Sequence, residues 1–240
     1  MSGLVIIPAH NEEEAVGTFL DELLEHLPQH HGVLIVNDGS SDDTGKVVTQ
    51  KGFSCCQLPC NLGYTGALKT GLKIGLNQGA DWMAFIDSDG QHRPEDLVAM
   101  IKRFEDHDID ILLGSRWMEH GPDQSSSAGR RAGMEFFSWI AQKLTGRRFT
   151  DTTNGLKILK PQVAKELCSR NFGDFHAETL IYLHDRGYKI EEHPIVVRAR
   201  ETGQSMYTFK DLVFYPLKNL ILIAIFKLNS WTLAKVEGKR

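Results

Sequence analysis

The sequence predicts an α/β protein in which a mostly parallel sheet is covered by helices on both faces. Two observations carry that expectation. Short apolar runs bounded by turn residues alternate with segments of helical spacing through the first half of the chain, and such alternation implies strands joined by crossover helices. The runs are also apolar throughout rather than at every second residue, as in strands buried on both faces.

Leu4 to Ile7 is the first such run, too short for a helix. Asn11-Glu12-Glu13-Glu14 follows, with acidic residues expected in a first helical turn, and Phe19, Leu20, Leu23, Leu24 and Leu27 continue at helical spacing. Gly32 to Val36 is a second strand and ends in the turn-rich NDGSSDDT, which feeds a helix near Thr44 to Lys51. Phe53 to Leu58 is a third strand, and NLGYTGALKTGL (61–72) opens the next helix. Trp82 to Ile86 is a fourth strand; the loop from Asp87 leads to Pro94-Glu95-Asp96, a helix start with proline in its first turn. Ile109 to Leu113 is a fifth strand.

The second half reads less evenly. GPDQSSSAGRRAG (121–133) has the composition of a mobile loop, followed by a helix over about Met134 to Leu144. A strand near Leu156 to Leu159, helices at Pro161 to Cys168 and His176 to Arg186, and a strand-like stretch from Ile190 to Val197 complete the order. In a parallel sheet of this kind ligands collect beyond the carboxyl ends of the strands. Three polar clusters fall there: Pro8 to Glu12, Asn37 to Asp43 and Asp87 to His92.

Bulk properties narrow the function. The 240 residues are 41% hydrophobic and 24% charged, enough for a sizeable core. A formal charge of −4 argues against nucleic acid as partner, since phosphate-backbone affinity needs a dense basic surface. Cys55, Cys56, Cys60 and Cys168 contain no Cys-x-x-Cys pair, which argues against zinc. The N-terminal apolar run is too short for a signal peptide, and no stretch reaches the roughly 18 apolar residues of a spanning helix. A cytoplasmic protein is expected. His26, His30 and His31 read as solvated surface.

Asp87-Ser88-Asp89, directly after a buried strand, is the sharpest chemical feature. Two carboxylates two residues apart can reach one hard cation. Without a cation they would repel a diphosphate; a bridging Mg²⁺ or Mn²⁺ inverts that interaction. Asp38 offers a further acceptor, for a base N–H or a ribose hydroxyl, although NDGSSDDT is also an ordinary turn and helix start. A dehydrogenase would need Gly-x-Gly-x-x-Gly where Pro8-Ala-His-Asn stands. Gly39 to Lys46 imitates a P-loop, with a spacing one residue too long and Val47 in place of Ser or Thr.

PAHNEEE, NDGSSDDT, NLGYTGALKTGL, DSDGQHRPEDL, GSR (114–116) and DTTNGLKI (151–158) together resemble, in order and spacing, glycosyltransferase family 2 with its Rossmann-like GT-A fold. The likeness is nearest to the dolichol-phosphate mannose synthase and polyprenyl-phosphate glycosyltransferase branch, and extends over residues 1–206. It implies an inverting transfer from a nucleotide-diphosphate sugar, GDP-mannose or a UDP-hexose, to a polyprenyl or dolichyl phosphate. It further implies a nucleotide-sugar surface of Pro8, Ala9, Asn11, Glu12, Asp38, Asp87, Ser88 and Asp89, and a metal group of Asp87, Asp89 and Gln91. Arg116, the Arg130-Arg131 pair and Arg200 match phosphate-holding arginines, with Arg131 and Arg200 expected on the acceptor; the sequence does not rank Arg130 against Arg131. Met206 stands where the family often has lysine, and His176 where the mannose synthases commonly have glutamine.

A lipid monophosphate is ionised near neutral pH, its second pKa being about 6. It needs arginines rather than the general base that a hydroxyl acceptor requires. Glu178 and Asp174 are the candidate bases if the acceptor is a hydroxyl, with Glu178 otherwise a helix-surface carboxylate. A non-catalytic partner subunit is the remaining alternative, against which the intact Asp87 and Asp89 argue. A catalytic domain is expected over 1–208 and an amphipathic helical tail over 209–240. In the tail FKDLVFYPLKNLILIAIFKL carries lysines 210, 218 and 227 among apolar residues. It is expected to pack on the protein's own core, on a second copy or membrane partner subunit, or to lie on the cytoplasmic face of a membrane with its lysines at anionic lipid.

Overall fold

A computed structural model describes residues 1–118, 128–169, 175–198 and 218–227. Seven strands form one sheet in the order β3-β2-β1-β4-β6-β5-β7. They are β1 (Gly3–Ala9), β2 (Gly32–Asn37), β3 (Ser54–Gln57), β4 (Trp82–Phe85), β5 (Ile111–Ser115), β6 (Lys157–Leu159) and β7 (Ile190–Pro194). All neighbours run parallel except β6, which is antiparallel to β4 and β5 between which it lies.

All seven residues of β1 are buried, and the pleat sends alternate side chains to opposite faces. Val5, Ile7 and Ala9 meet Val16, Phe19, Leu20 and Leu23 of α1 (Val16–His26) and Leu97, Met100 and Phe104 of α4 (Pro94–Asp106). Leu4 and Ile6 face the other way. There they join Leu68 and Leu72 of α3 (Tyr64–Gln78), Val163 and Leu167 of α6 (Pro161–Ser169) and Leu180 and Tyr182 of α7 (Ala177–Asp185). Gly71 lets α3 close on the sheet, since a Cβ there would overlap Ile6. The small helix α2 (Thr44–Gln50) places Val48 in the first layer.

The structure departs from the sequence reading in several places. First, α1 begins at Val16, so Glu12 to Glu14 precede it. Their backbone is held by the neighbouring turn: Glu12 N–H donates to Thr44 Oγ1 at 2.9 Å and Glu13 N–H to Asp42 at 3.2 Å, which draws the segment out of helical phase. Second, α5 runs from Ala128 to Thr145, so residues 128–133 are helix rather than loop. Packing of α5 on the core through Phe137 and Ala141 outweighs the helix cost of Gly129 and Gly133, about 1 kcal/mol each. Residues 121–127 lie outside the described residues. Third, His31 is buried rather than solvated; its Nδ1 accepts from Gly3 N–H, and its ring stands 4.8 Å from that of Trp82.

Residues 218–227 form a further helix, α8. It lays Ile223 and Phe226 into the core, with the Phe226 ring 5.6 Å from Tyr182, and pairs Lys227 with Asp185 at 2.7 Å. Ile221 and Ile225 remain exposed. Among the described residues no helix is long and apolar enough to cross a membrane.

Candidate active site

The carboxyl ends of β1, β2 and β4 and the start of α3 meet on one rim. Asn11 leaves β1 with a left-handed φ of 54°, and its side-chain carbonyl accepts from Ser41 N–H at 2.8 Å. Asp38 follows β2; its N–H donates to Ala9 at 2.8 Å, and its carbonyl is 2.8 Å from His10 Nδ1. The Asp38 side chain is buried, with Oδ1 accepting from Leu62 N–H at 2.7 Å. Gly39 permits this closure, because a Cβ there would press on the backbone of Cys60 and Asn61.

Beyond β4, Ser88 turns inward and its hydroxyl donates to the Pro8 carbonyl at 3.2 Å. Asp87 and Asp89 are half-buried on the same loop. Asp87 Oδ1 accepts from the Tyr64 hydroxyl at 2.9 Å, while Asp89 Oδ1 accepts from Gln91 N–H at 3.1 Å. Arg198 N–H donates to the Gln91 carbonyl at 2.9 Å, strapping the loop from outside. The sequence-expected residues Pro8, Ala9, Asn11, Glu12, Asp38, Asp87, Ser88, Asp89 and Gln91 therefore share one rim.

Arg116 ends the β5 side of this rim. Its fork holds Asp151, Nε to Oδ2 at 2.6 Å and Nη2 to Oδ1 at 2.9 Å, and Nη2 also reaches Thr153 Oγ1 at 3.0 Å. Burial works to raise the Asp151 carboxyl, but Arg116 outweighs it and keeps that group below the ordinary carboxylate value. Arg131 lies on α5; Arg200, Met206 and Asp174 lie outside the described residues.

A buried polar layer underlies the loop after β4. His92 is pushed down to about 4 by burial, against the raising effect of Asp89, and is neutral near pH 7; its Nε2 is 3.7 Å from Asp87 Oδ2. Lys157 is lowered to about 8 by burial, opposed by Asp151, Asp87 and Glu178, and its ammonium donates to the Asn154 carbonyl. His176 falls to about 3 through burial and the charge of Lys157. Glu178 is fully buried rather than on the helix surface; its Oε1 accepts from His176 N–H at 3.3 Å and Thr179 Oγ1 at 3.2 Å. Sequence reasoning gave no role to Tyr64, His92, Asp151 or Lys157. All four fall within the motifs quoted above, so a search of those motifs for hydrogen-bonding side chains could have found them.

Among the described residues no three His, Cys, Asp or Glu side chains gather as a closed metal cage. The donor set nevertheless fits Mg²⁺ or Mn²⁺. Such ions favour oxygen, and Mg²⁺ in particular uses one or two carboxylates, keeps several waters and completes its shell with substrate phosphate. Asp87 and Asp89 are two hard oxygen donors on one loop, each already oriented by a hydrogen bond. Next to Arg116, Trp117 and Thr150 form part of the wall of a cavity of about 460 Å³ that extends along α5 past Met134 and Trp139 to Arg148.

Comparison with known proteins bears on this rim. The model of the family described as "Glycosyl transferase family 2" matches residues 4–164. The chain is 28% identical over 243 residues to the UDP-N-acetylglucosamine–dolichyl-phosphate N-acetylglucosaminyltransferase of Methanococcus voltae, covering 93% of this chain and 96% of that one. It is 27% identical over 215 residues to the undecaprenyl-phosphate mannosyltransferase of Micrococcus luteus, covering 85% and 87%. In structure it is similar to glucosyl-3-phosphoglycerate synthase from Mycobacterium tuberculosis, solved with Mn²⁺, UDP and glucosyl-3-phosphoglycerate. That likeness has a TM-score of 0.69 at 18% identity and covers 92% of this chain and 78% of the other.

Proposed function

We propose, from the premise that the chain belongs to glycosyl transferase family 2 and is a glycosyltransferase, that it moves a sugar from a nucleotide-diphosphate donor to a polyprenyl or dolichyl phosphate. The observation that carries this reading is the placement of Asp87 and Asp89 on the rim shared with Asp38 and Asn11, beside the Arg116–Asp151 pair. The names of the two curated relatives support the acceptor, both being transferases to a polyprenyl-type phosphate.

In this account the nucleoside lies against Pro8, Ala9, Asn11, Glu12, Asp38 and Ser88. Asp87 and Asp89, with Gln91, would hold Mg²⁺ or Mn²⁺, and that ion would supply the positive charge that lets carboxylates adjoin a diphosphate. Arg116, its fork engaged by Asp151, contributes positive charge at the edge of the phosphate site, and Arg131 and Arg200 gather the acceptor phosphate. The acceptor oxygen is already ionised and attacks the anomeric carbon opposite the leaving diphosphate, so the configuration inverts and no general base is needed. The complete burial of Glu178 supports this choice over a hydroxyl acceptor, because that carboxylate is withdrawn from solvent.

Residues 1–208 form the catalytic unit in this account and 209–240 the tail. Contact with the cytoplasmic face of a membrane is part of it. Ile221 and Ile225 on α8, and Phe136, Trp139 and Leu144 on α5, are exposed apolar side chains of the type that enters a headgroup boundary. The test of donor and acceptor is a panel of GDP-mannose, UDP-glucose and UDP-N-acetylglucosamine, each with and without polyprenyl phosphate, read as released nucleoside diphosphate. One donor should give release that depends on the lipid phosphate; release from none of them contradicts the reading.

A further inference from the structure

We propose that Tyr64 is a positioning residue for Asp87, setting the direction in which that carboxylate meets a divalent cation. The inference rests on the metal role proposed above for Asp87 and Asp89. Tyr64 opens α3 just after Gly63, whose φ of 79° turns the chain into the helix. Its hydroxyl donates to Asp87 Oδ1 at 2.9 Å across 23 positions of sequence.

Two further elements close on the same carboxylate. The His92 ring places Nε2 3.7 Å from Oδ2. The backbone before β6 passes beneath at Gly155, where a Cβ would overlap Asp87 Oδ2 and lie 3.0 Å from the Tyr64 hydroxyl. Only a residue without a side chain lets Asp87 and Tyr64 meet here. Asp89 is oriented differently, by Gln91 N–H of its own loop at 3.1 Å. One carboxylate is thus aimed locally and the other from a separate helix.

The chemistry favours a phenol in this place. A carboxylate offers about four lone-pair directions. A hydroxyl that occupies one of them fixes the plane of the group and adds no positive charge that would repel a cation. An ammonium at the same position would orient Asp87 equally well and oppose the cation. Hydrogen-bond partners behind metal ligands typically alter affinity by about 10- to 100-fold.

The experiment titrates the full chain with Mn²⁺ in the presence of UDP and, separately, GDP, following free Mn²⁺ by its paramagnetic resonance signal. Tyr64→Phe should fold as the parent does and bind Mn²⁺ about 10- to 100-fold more weakly. Its turnover should require correspondingly more Mn²⁺ and approach the parent value at saturation. Gly155→Ala should weaken Mn²⁺ in the same direction by displacing Asp87; should it fail to fold, Tyr64→Phe alone decides. Tyr64→Phe with parent-like Mn²⁺ affinity overturns the inference and leaves the metal role standing. Lowered turnover at saturating Mn²⁺ with unchanged Mn²⁺ affinity also overturns it, by assigning Tyr64 to substrate. A parent protein that binds no Mn²⁺ with either nucleotide contradicts the metal role itself, and this inference with it.

Discussion

Arg116 grips Asp151 at two points, Nε at 2.6 Å and Nη2 at 2.9 Å, across 35 positions of sequence and with the Asp151 side chain wholly buried. Removing one partner of such a pair leaves an uncompensated buried charge and costs roughly 3–5 kcal/mol. Asp151→Ala should therefore lower the denaturant midpoint substantially and depress turnover. Arg116→Lys, which keeps the charge and loses the fork, should fold better than Asp151→Ala yet still transfer poorly. An unchanged midpoint in Asp151→Ala would deny the pair its structural role.

Acid sensitivity follows from the buried histidines. His176 is held down to about 3, so the folded state leaves it neutral while the unfolded chain protonates near its ordinary value of about 6.5. The unfolded state then binds more protons, and stability falls as pH drops from about 6.5 toward 3. The Asp151 carboxyl, held below its ordinary value, adds a loss only in more acid solution, below about 4. The melting temperature should decline across the first window, and His176→Gln should flatten that decline. Equal pH dependence in both proteins would show that His176 is not the source.

Much of this was legible in the sequence, for a physical reason. Strands β1, β2 and β4 are buried on both faces, so they read as apolar runs, and Pro94 marks the start of α4 through its fixed φ. The acidic and Asn-rich turns at their ends could therefore be placed on one rim. Long-range pairing was not legible: neither Tyr64 with Asp87 nor Arg116 with Asp151 has a spacing that any local periodicity encodes. The start of α5 was missed because Ser and Gly report local preference, whereas packing on the core decides the helix.

Metal dependence is expected if Asp87 and Asp89 face a diphosphate as proposed. Chelator should abolish transfer, and Mg²⁺ or Mn²⁺ should restore it. Asp89→Ala should reduce turnover by more than about 100-fold with the melting temperature preserved. Full activity in chelator would remove the metal from the account.

Substitution of Arg131 and Arg200 tests their proposed place on the acceptor phosphate. Alanine at either position should impair transfer far more than nucleotide-sugar binding measured by calorimetry, and lysine should rescue poorly because a two-point fork is lost. Equal loss of donor affinity and transfer would assign these arginines to the donor phosphates instead.

The proposed membrane contact has to be tested without disturbing the core. Ending the chain near Tyr207 would remove Ile223 and Phe226, which pack with Tyr182. Ile221→Glu with Ile225→Glu changes exposed positions only. The parent should float with anionic liposomes and the double variant should not, with similar melting temperatures. Equal flotation would place the contact elsewhere, and a parent that stays with the soluble fraction as a dimer would mean that a second copy covers this face.

The proposed acceptor is a phosphate on a polyprenyl chain. Mass spectrometry and anomeric assignment of the lipid product test it, with polyprenyl phosphate and the matching polyprenol offered the same donor in parallel reactions. A polyprenyl-phosphate sugar of inverted anomeric configuration is expected from the phosphate, and no product from the alcohol. Glycosylation of the alcohol, or a product with retained configuration, would contradict it.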